Sequence, residues 1–412
     1  MRRRAIWDRR DATGLGGSAA LRTAVLGPRR ATRGPGAILG LAVALGLAAC
    51  SPAARPAGGA ATLGGVSPGH SPASPAAAGK KRTRTGTGAV TRSAASVTIA
   101  AVGDMMLGNT PDLPPDPAAY LDAVKPVLDS HAKIVFGNLE GTLTTATTSK
   151  CGSLKGPRKD CFAFRDPPRY ARYFKDAGFT ILNDANNHSF DFGAAGQAQT
   201  VRAIHAAGLA QTGLPGEITL VKANGIKVAL VAFAPYSYDA SLLDLPAARA
   251  LIKRAGRQAR VVVVYMHAGA EGSGDDHVTG QEEYFLGEDR GNPEEFAHMA
   301  IDSGASLVIA SGPHVVRGMQ FYKGHLIAYS LGDFASYGDF STDGDLDMSV
   351  ILHVRLSSAG RFERARIYPV QFTGQGQPVR GGGAVAFIAG LSAQDFGATA
   401  ARILPSGAIR EP

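Results

Sequence analysis

From Val97 onward, short β-branched apolar runs alternate with polar, turn-rich stretches and with segments of helical length. The runs 97–103 (VTIAAVG), 133–137, 179–183, 226–233 (IKVALVAF), 260–266 (RVVVVYM) and 306–310 (SLVIA) are of strand length and lack the polar alternation of a half-exposed strand. Helical patterns fall near 117–130, 167–177, 194–207 and 293–303. Strands alternating with helices predict an α/β fold. Segments 325–330, 349–355 and 363–370 read as strands without helices between them. After about residue 372 the pattern weakens into Gly/Ala-rich sequence, with a short helix expected around 392–402.

The first 96 residues carry a different pattern. One apolar stretch, Ala37 to Ala49 (AILGLAVALGLAA), follows Arg29, Arg30 and Arg33 and ends at Cys50. It is shorter than a comfortable membrane span and has the layout of a signal peptide. Leu47-Ala48-Ala49-Cys50 has the form of a lipobox, in which Cys50 is the lipidation site. The expected organisation is a lipoprotein signal peptide over 1–49 and a disordered Pro/Ala/Ser/Gly linker over 50–96. A folded domain is expected over 97–372, then a partly ordered tail over 373–412. The location that follows is the outer face of the cell membrane, with that membrane as a partner through the lipid.

Charge divides at the same boundary. The whole chain has a formal net charge of +9, but residues 1–96 alone carry 15 Lys/Arg against Asp8 and Asp11. The remainder holds 28 basic and 32 acidic residues and is mildly acidic. A nucleic-acid-binding domain needs its basic surface on the folded part, so nucleic acid is not an expected partner. Cys151 and Cys161 sit in a loop-like stretch rich in Gly, Ser, Lys and Pro. In an oxidising compartment they form a disulfide; otherwise they remain two free thiols.

Polar residues gather just past the strand ends, where open α/β sheets hold their ligands. They are Asp104 after the first strand, Asn138 and Glu140 after the second, Asn186-Asn187-His188 after the third, His267 after the valine-rich strand and His314 after the next. Tyr329-Ser330-Leu331-Gly332-Asp333-Phe334 follows. Carboxylates, an amide and imidazoles suit a divalent metal such as Mn, Fe or Zn, one ion or two.

These loops together resemble the CapA family of capsule and poly-γ-glutamate synthesis proteins, a branch of the calcineurin-like metallophosphoesterases. Asn186-Asn187-His188 to Asp191-Phe192-Gly193 is similar to the family's N-N-H-x-x-D-x-G run. Gly312-Pro313-His314-Val315 and Tyr329 to Phe334 are similar to its P-H-V and Y-S-L-G-N-F runs. The resemblance covers about 97–335 and implies a four-layer α-β-β-α metallophosphoesterase-like sandwich with metal at the strand ends. Carried over, Asp104, Glu140, Asn187, His267 and His314 are metal ligands, with Asn138 the alternative to Glu140 as bridging group. His188, with Asn187, serves the leaving group in catalysis.

Two departures reduce the donor set. Met106 stands where the phosphoesterase pattern has a His two residues after the first Asp, and Gly312 stands two residues before His314 where another His is expected. Asp333 replaces an Asn, either adding a ligand or capping the next loop. Arg165, Arg169 and Arg317, with Asp333, are candidates for contact with the substrate. The expected function is a cell-envelope, metal-dependent hydrolase acting on an anionic surface polymer such as poly-γ-glutamate, or on its precursor. The alternative is a non-catalytic factor that binds the polymer or the membrane subunits of a capsule synthesis complex.

Overall fold

The apolar runs become strands buried on both faces. In the computed structural model, which describes residues 95–152 and 161–412, the strand Ile226–Phe233 exposes only Lys227, and Val261–His267 exposes nothing. The leader, most of the linker and Cys50 lie outside the described residues.

Two mixed sheets stack face to face. In the larger, Ser96–Met106 runs parallel to Ile134–Leu139, then to Ile181–Asn183 and Ala210–Thr212. On its other side lie antiparallel Met348–Ser357, Phe362–Thr373 and Ala408–Arg410. The smaller sheet runs in the order Met319–Tyr322, His325–Ala328, Leu307–Ser311, Val261–His267, Ile226–Phe233, Thr219–Ala223.

Side-chain alternation assigns each strand to two layers at once. Val97, Ile99 and Ala101 meet Val228, Leu230, Val263 and Ile309 between the sheets. Ala100 and Val102 point the other way, toward Phe174 and Ile204 on the helices Ala171–Asp176 and Gly193–Ala206. Val231, Val262 and Val264 pack against Ile252 and Phe296, on the helices Leu245–Gly256 and Pro293–Asp302. The layer order is therefore α-β-β-α, as the resemblance implies. Burial on both faces explains why the strands read as unbroken apolar runs, each large aliphatic contributing roughly 1.5–3 kcal/mol.

Three local expectations change. The helix near 117–130 shrinks to Lys125–Leu128, because Pro126 suits only the first turn of a helix. Leu245–Gly256 is a helix outside the expected set, although Ala248, Leu251, Ile252 and Ala255 repeat at helical spacing. Its signals are local: Asp244 accepts from the Ala247 amide as N-cap, and Pro246 sits in the first turn. The final forty residues are not a loose tail. Gln377–Arg380 joins the larger sheet, and the helix Ala384–Phe396 begins well before residue 392. Ala384, Ile388 and Ile409 enter the core between the sheets.

Cys151 and Cys161 are joined by a disulfide. No helix among the described residues is long and apolar enough to cross a membrane.

Candidate metal centre

The parallel strands of both sheets deliver their C-terminal ends to one place. Asp104 is near the end of the first strand, and Glu140 directly follows the second. His267 ends its strand, His314 lies three residues past Leu307–Ser311, and Asp333 opens Asp333–Ser336, which pairs with the first strand. Gly103 makes the approach feasible. A Cβ there would fall 1.8 Å from the Gly332 carbonyl oxygen, which accepts from the Asp104 amide at 3.0 Å. His314 itself adopts φ +62°, a left-handed conformation uncommon outside glycine and often met at functional sites.

Asp104, Glu140, His314 and Asp333 are all buried, and one donor atom from each lies within 4.8 Å of the others. His314 Nδ1 is 2.7 Å from Asp333 Oδ1 and 3.6 Å from Asp104 Oδ2. Glu140 Oε1 sits between two imidazoles, 3.6 Å from His267 Nε2 and 3.7 Å from His314 Nε2. Both separations are too long for hydrogen bonds. They are near the spacing of two ligands on one ion with bonds of about 2.1 Å.

The orphaned atoms test whether a cation fits. Both Glu140 carboxylate oxygens, Asp333 Oδ2, His267 Nε2 and Asn187 Oδ1 are buried without a hydrogen-bond partner. Buried lone pairs left unsatisfied cost free energy, and a cation satisfies several at once. Burial, reinforced by Asp104, pushes the Glu140 carboxyl well above its usual range, and burial likewise raises Asp104. Burial lowers the His267 pKa and keeps the ring neutral, as a metal ligand needs to be. Burial opposes charge on His314 too, but Asp333 and Glu140 outweigh it and raise its pKa. The donor set fits a divalent cation.

Asn138 does not take the bridging position. Its Nδ2 donates to Asp104 Oδ1 at 2.7 Å, while its Oδ1 accepts from Asn183 at 2.6 Å and Asn186 at 3.0 Å. It ties three strand ends together. Met106 and Gly312 confirm the two departures. Met106 packs with Phe164 and Phe340 as apolar wall, and the Gly312 amide donates to Asp104 Oδ2 at 3.2 Å.

Beside the cluster opens a cleft of about 400 Å³, lined by Asn187, His188, Glu271, Arg290, Lys150 and His314, with aromatic walls that include Phe164, Tyr236 and Tyr238. His188 is held through Nδ1 by Asp191 at 2.9 Å, and Asp191 also meets Lys150 at 2.7 Å. Burial lowers the His188 pKa, partly offset by Asp191, so the ring is neutral near pH 7 and keeps Nε2 for exchange. Asn187 donates to Glu271 at 3.2 Å, and Glu271 Oε2 lies 3.5 Å from His314 Nε2. Burial pushes Glu271 up, yet Arg290 at 2.6 Å and His314 overcome it and bring its pKa to about 2.

The arginines need correction. Arg317 is buried and forks onto Glu283 at 3.0 and 2.7 Å, with Nε on the Asp275 carbonyl, so it braces the fold rather than meeting substrate. Arg165 donates to the Ala146 carbonyl and lies over Phe192; Arg169 lies over Tyr170. Neither lines the cleft. Asp333 belongs to the buried cluster instead of the cleft wall. The arginine that does line the cleft, beside Lys150, is Arg290, whose Nε and Nη1 are buried without hydrogen-bond partners, Nε lying 3.5 Å from Glu288. Sequence reasoning missed it, together with Glu271, although Glu271 lies only four residues past His267.

An α-β-β-α sandwich whose strand ends gather carboxylates, imidazoles and an Asn-His pair defines a protein with a candidate metal centre at the ends of its sheets. The chain belongs to the family of bacterial capsule synthesis proteins, PGA_cap, whose model matches residues 98–337. It is 29% identical over 209 residues to the PGA biosynthesis protein CapA of Bacillus subtilis, covering 47% of this chain and 51% of that one. It is 31% identical over 183 residues to the capsule biosynthesis protein CapA of Bacillus anthracis, covering 39% and 41%. The match thus spans about half or less of these relatives. Among solved structures, the Haemophilus influenzae NAD nucleotidase aligns over 70% of this chain and 54% of its own, at 11% identity and a TM-score of 0.37. A purple acid phosphatase from yellow lupin aligns over 68% and 52%, at 9% identity and 0.33.

Proposed function

We propose that this protein is a metal-dependent hydrolase of the cell envelope, acting on an anionic surface polymer such as poly-γ-glutamate or on its precursor. In this reading Cys50 carries a lipid that holds the domain at the outer face of the membrane, and capsule synthesis membrane subunits are its partners. The observation that carries the hydrolase reading is the set of buried, unpartnered donor atoms next to an Asp-held histidine at a cleft.

Asp104, Glu140, His267, His314 and Asp333 would hold the cation, with Asn187 at the cleft side. A divalent ion there supplies Lewis acidity toward the scissile group and toward water. The chain's own groups do the rest. Asp191 orients His188 and stabilises it once it takes up a proton, so that Nε2 can pass that proton to a leaving group. Arg290 and Lys150, held by Glu271 and Asp191, place N–H donors along the cleft between its aromatic walls.

The test is metal analysis of the full chain together with a phosphodiester and poly-γ-glutamate hydrolysis screen. Glu140→Gln should lower metal content. His188→Ala should keep the metal and lose roughly 10²–10⁴ in rate. No bound metal, with wild-type and His188→Ala alike in rate, would remove the hydrolase reading. The loss of imidazoles at Met106 and Gly312 favours a second reading, a polymer-binding factor without turnover. That reading expects metal and polymer binding with no hydrolysis.

A further inference from the structure

The larger sheet carries a second feature at the end opposite Asp104. There the helical layer stops at the short helix Lys125–Leu128, and the strands beyond it turn one face to solvent. Val354, Ala365, Ile367 and Ile409 point into the core between the sheets. The alternate residues therefore face outward, and they are Arg355, Arg364, Arg366 and Arg410. Arg355 pairs in register with Arg364, His353 with Arg366, and Arg366 with Ala408, two residues before Arg410. The four arginines, with Tyr368 and His353, line a groove of about 650 Å³.

Its charge runs against that of the domain. Residues 97–412 carry more acid than base, yet this groove holds four arginines against Glu363 and Glu411. Glu363 is engaged by Arg355 at 2.8 Å. Arg364, Arg366 and Arg410 form no ion pair among the described residues. Their lattice is set by the sheet: roughly 5 Å between strands and about 7 Å between alternate residues along one. Guanidinium forks at that spacing match carboxylates repeated along an extended chain.

We propose that this groove binds a polycarboxylate chain, at a site separate from the metal cleft. Two features favour a polymer over a lipid bilayer. The face is a groove rather than a plane. The large exposed hydrophobic residues, Leu220, Leu243, Tyr284 and Leu286, all lie outside it, so it has no apolar anchor for a membrane interface. The assignment does not rest on hydrolysis.

The experiment is fluorescence anisotropy of the full chain with labelled poly-γ-glutamate at low and high salt. Phosphatidylglycerol vesicles form a second arm. Binding should weaken with salt. Combined Arg364→Gln, Arg366→Gln and Arg410→Gln should weaken polymer binding by at least about tenfold, with the fold checked by circular dichroism. The matching Lys variants should keep the salt dependence and lose only part of the affinity. Lys222→Gln with Lys227→Gln, exposed cations paired on the smaller sheet away from the groove and the metal cleft, should bind as wild type does. The proposal is overturned if the arginine Gln variants bind normally, if the Lys222/Lys227 variant weakens binding as much as they do, or if only the vesicles respond to the arginines.

Discussion

Arg317 and Arg290 show how differently one side chain type can act. Arg317 gives both edges of its fork to Glu283 in a buried pair, whereas Arg290 commits one nitrogen to Glu271 and leaves Nε and Nη1 without hydrogen bonds beside the cleft. Removing one partner of a buried ion pair strands the other charge. Arg317→Met should therefore cost about 3–5 kcal/mol in denaturant unfolding, with little change in KM for any substrate found. A KM effect without a stability loss would restore Arg317 to substrate binding. Titration belongs to this scale as well. Burial lowers the His353 pKa to about 4, against a backbone hydrogen bond at Val127 and with repulsion from His131. It packs edge-on to Tyr368 and pairs in register with Arg366. The folded state thus refuses a proton that the unfolded chain accepts below about pH 6.5. Stability from this group is present above that pH and is lost as pH falls toward 4. His353→Gln should flatten the stability profile between pH 6.5 and 4, and an unchanged profile would count against the burial argument.

At the scale of elements, Leu245–Gly256 is a helix whose ends are specified by sequence and whose face is specified by packing. Asp244→Ala removes the cap and should cost about 1 kcal/mol. Ile252→Ala opens a cavity in the layer outside the smaller sheet and should cost about 2–5 kcal/mol, so the two variants separate local from tertiary contributions in one melting series. Ala248, Leu251, Ile252 and Ala255 share one buried face while Arg249, Lys253 and Arg254 stay exposed on the other, so periodicity and caps both mark this helix. For the long strands, apolar runs gave the ends to within three residues, yet could not say which neighbour each would pair with.

For the molecule as a whole, the C-terminal forty residues close one flank of the sandwich. Deleting 374–412 removes Ala384, Ile388 and Ile409 from the core between the sheets. The truncated chain should bind a hydrophobic dye and lose its cooperative transition. A soluble, cooperatively melting 1–373 fragment would show that the domain ends near 372 after all. Whole-molecule electrostatics also differ from the chain average. An acidic domain carries a local arginine lattice because antiparallel strands far apart in sequence share one face.

Apart from short strands such as Ala210–Thr212, Thr219–Ala223 and Met319–Tyr322, which were not expected, the sequence by itself determined the long strands, the fold class and the strand-end residues Asp104, Glu140, Asn187, His188, His267 and His314. Each is written locally, as a continuous apolar run followed by a polar residue at its end. Only the tertiary structure decided that Glu140 rather than Asn138 lies between the imidazoles, that Asp333 joins the cluster, and that Glu271 and Arg290 face the cleft. It also withdrew Arg165 and Arg317 from the substrate. The physical reason is common to all of them. Which partner satisfies a buried charge or amide depends on contacts between residues tens or hundreds of positions apart, such as Asn187 with Glu271 or Ser311 with Asp104. No pattern along the chain encodes those pairings before the sheets close on each other.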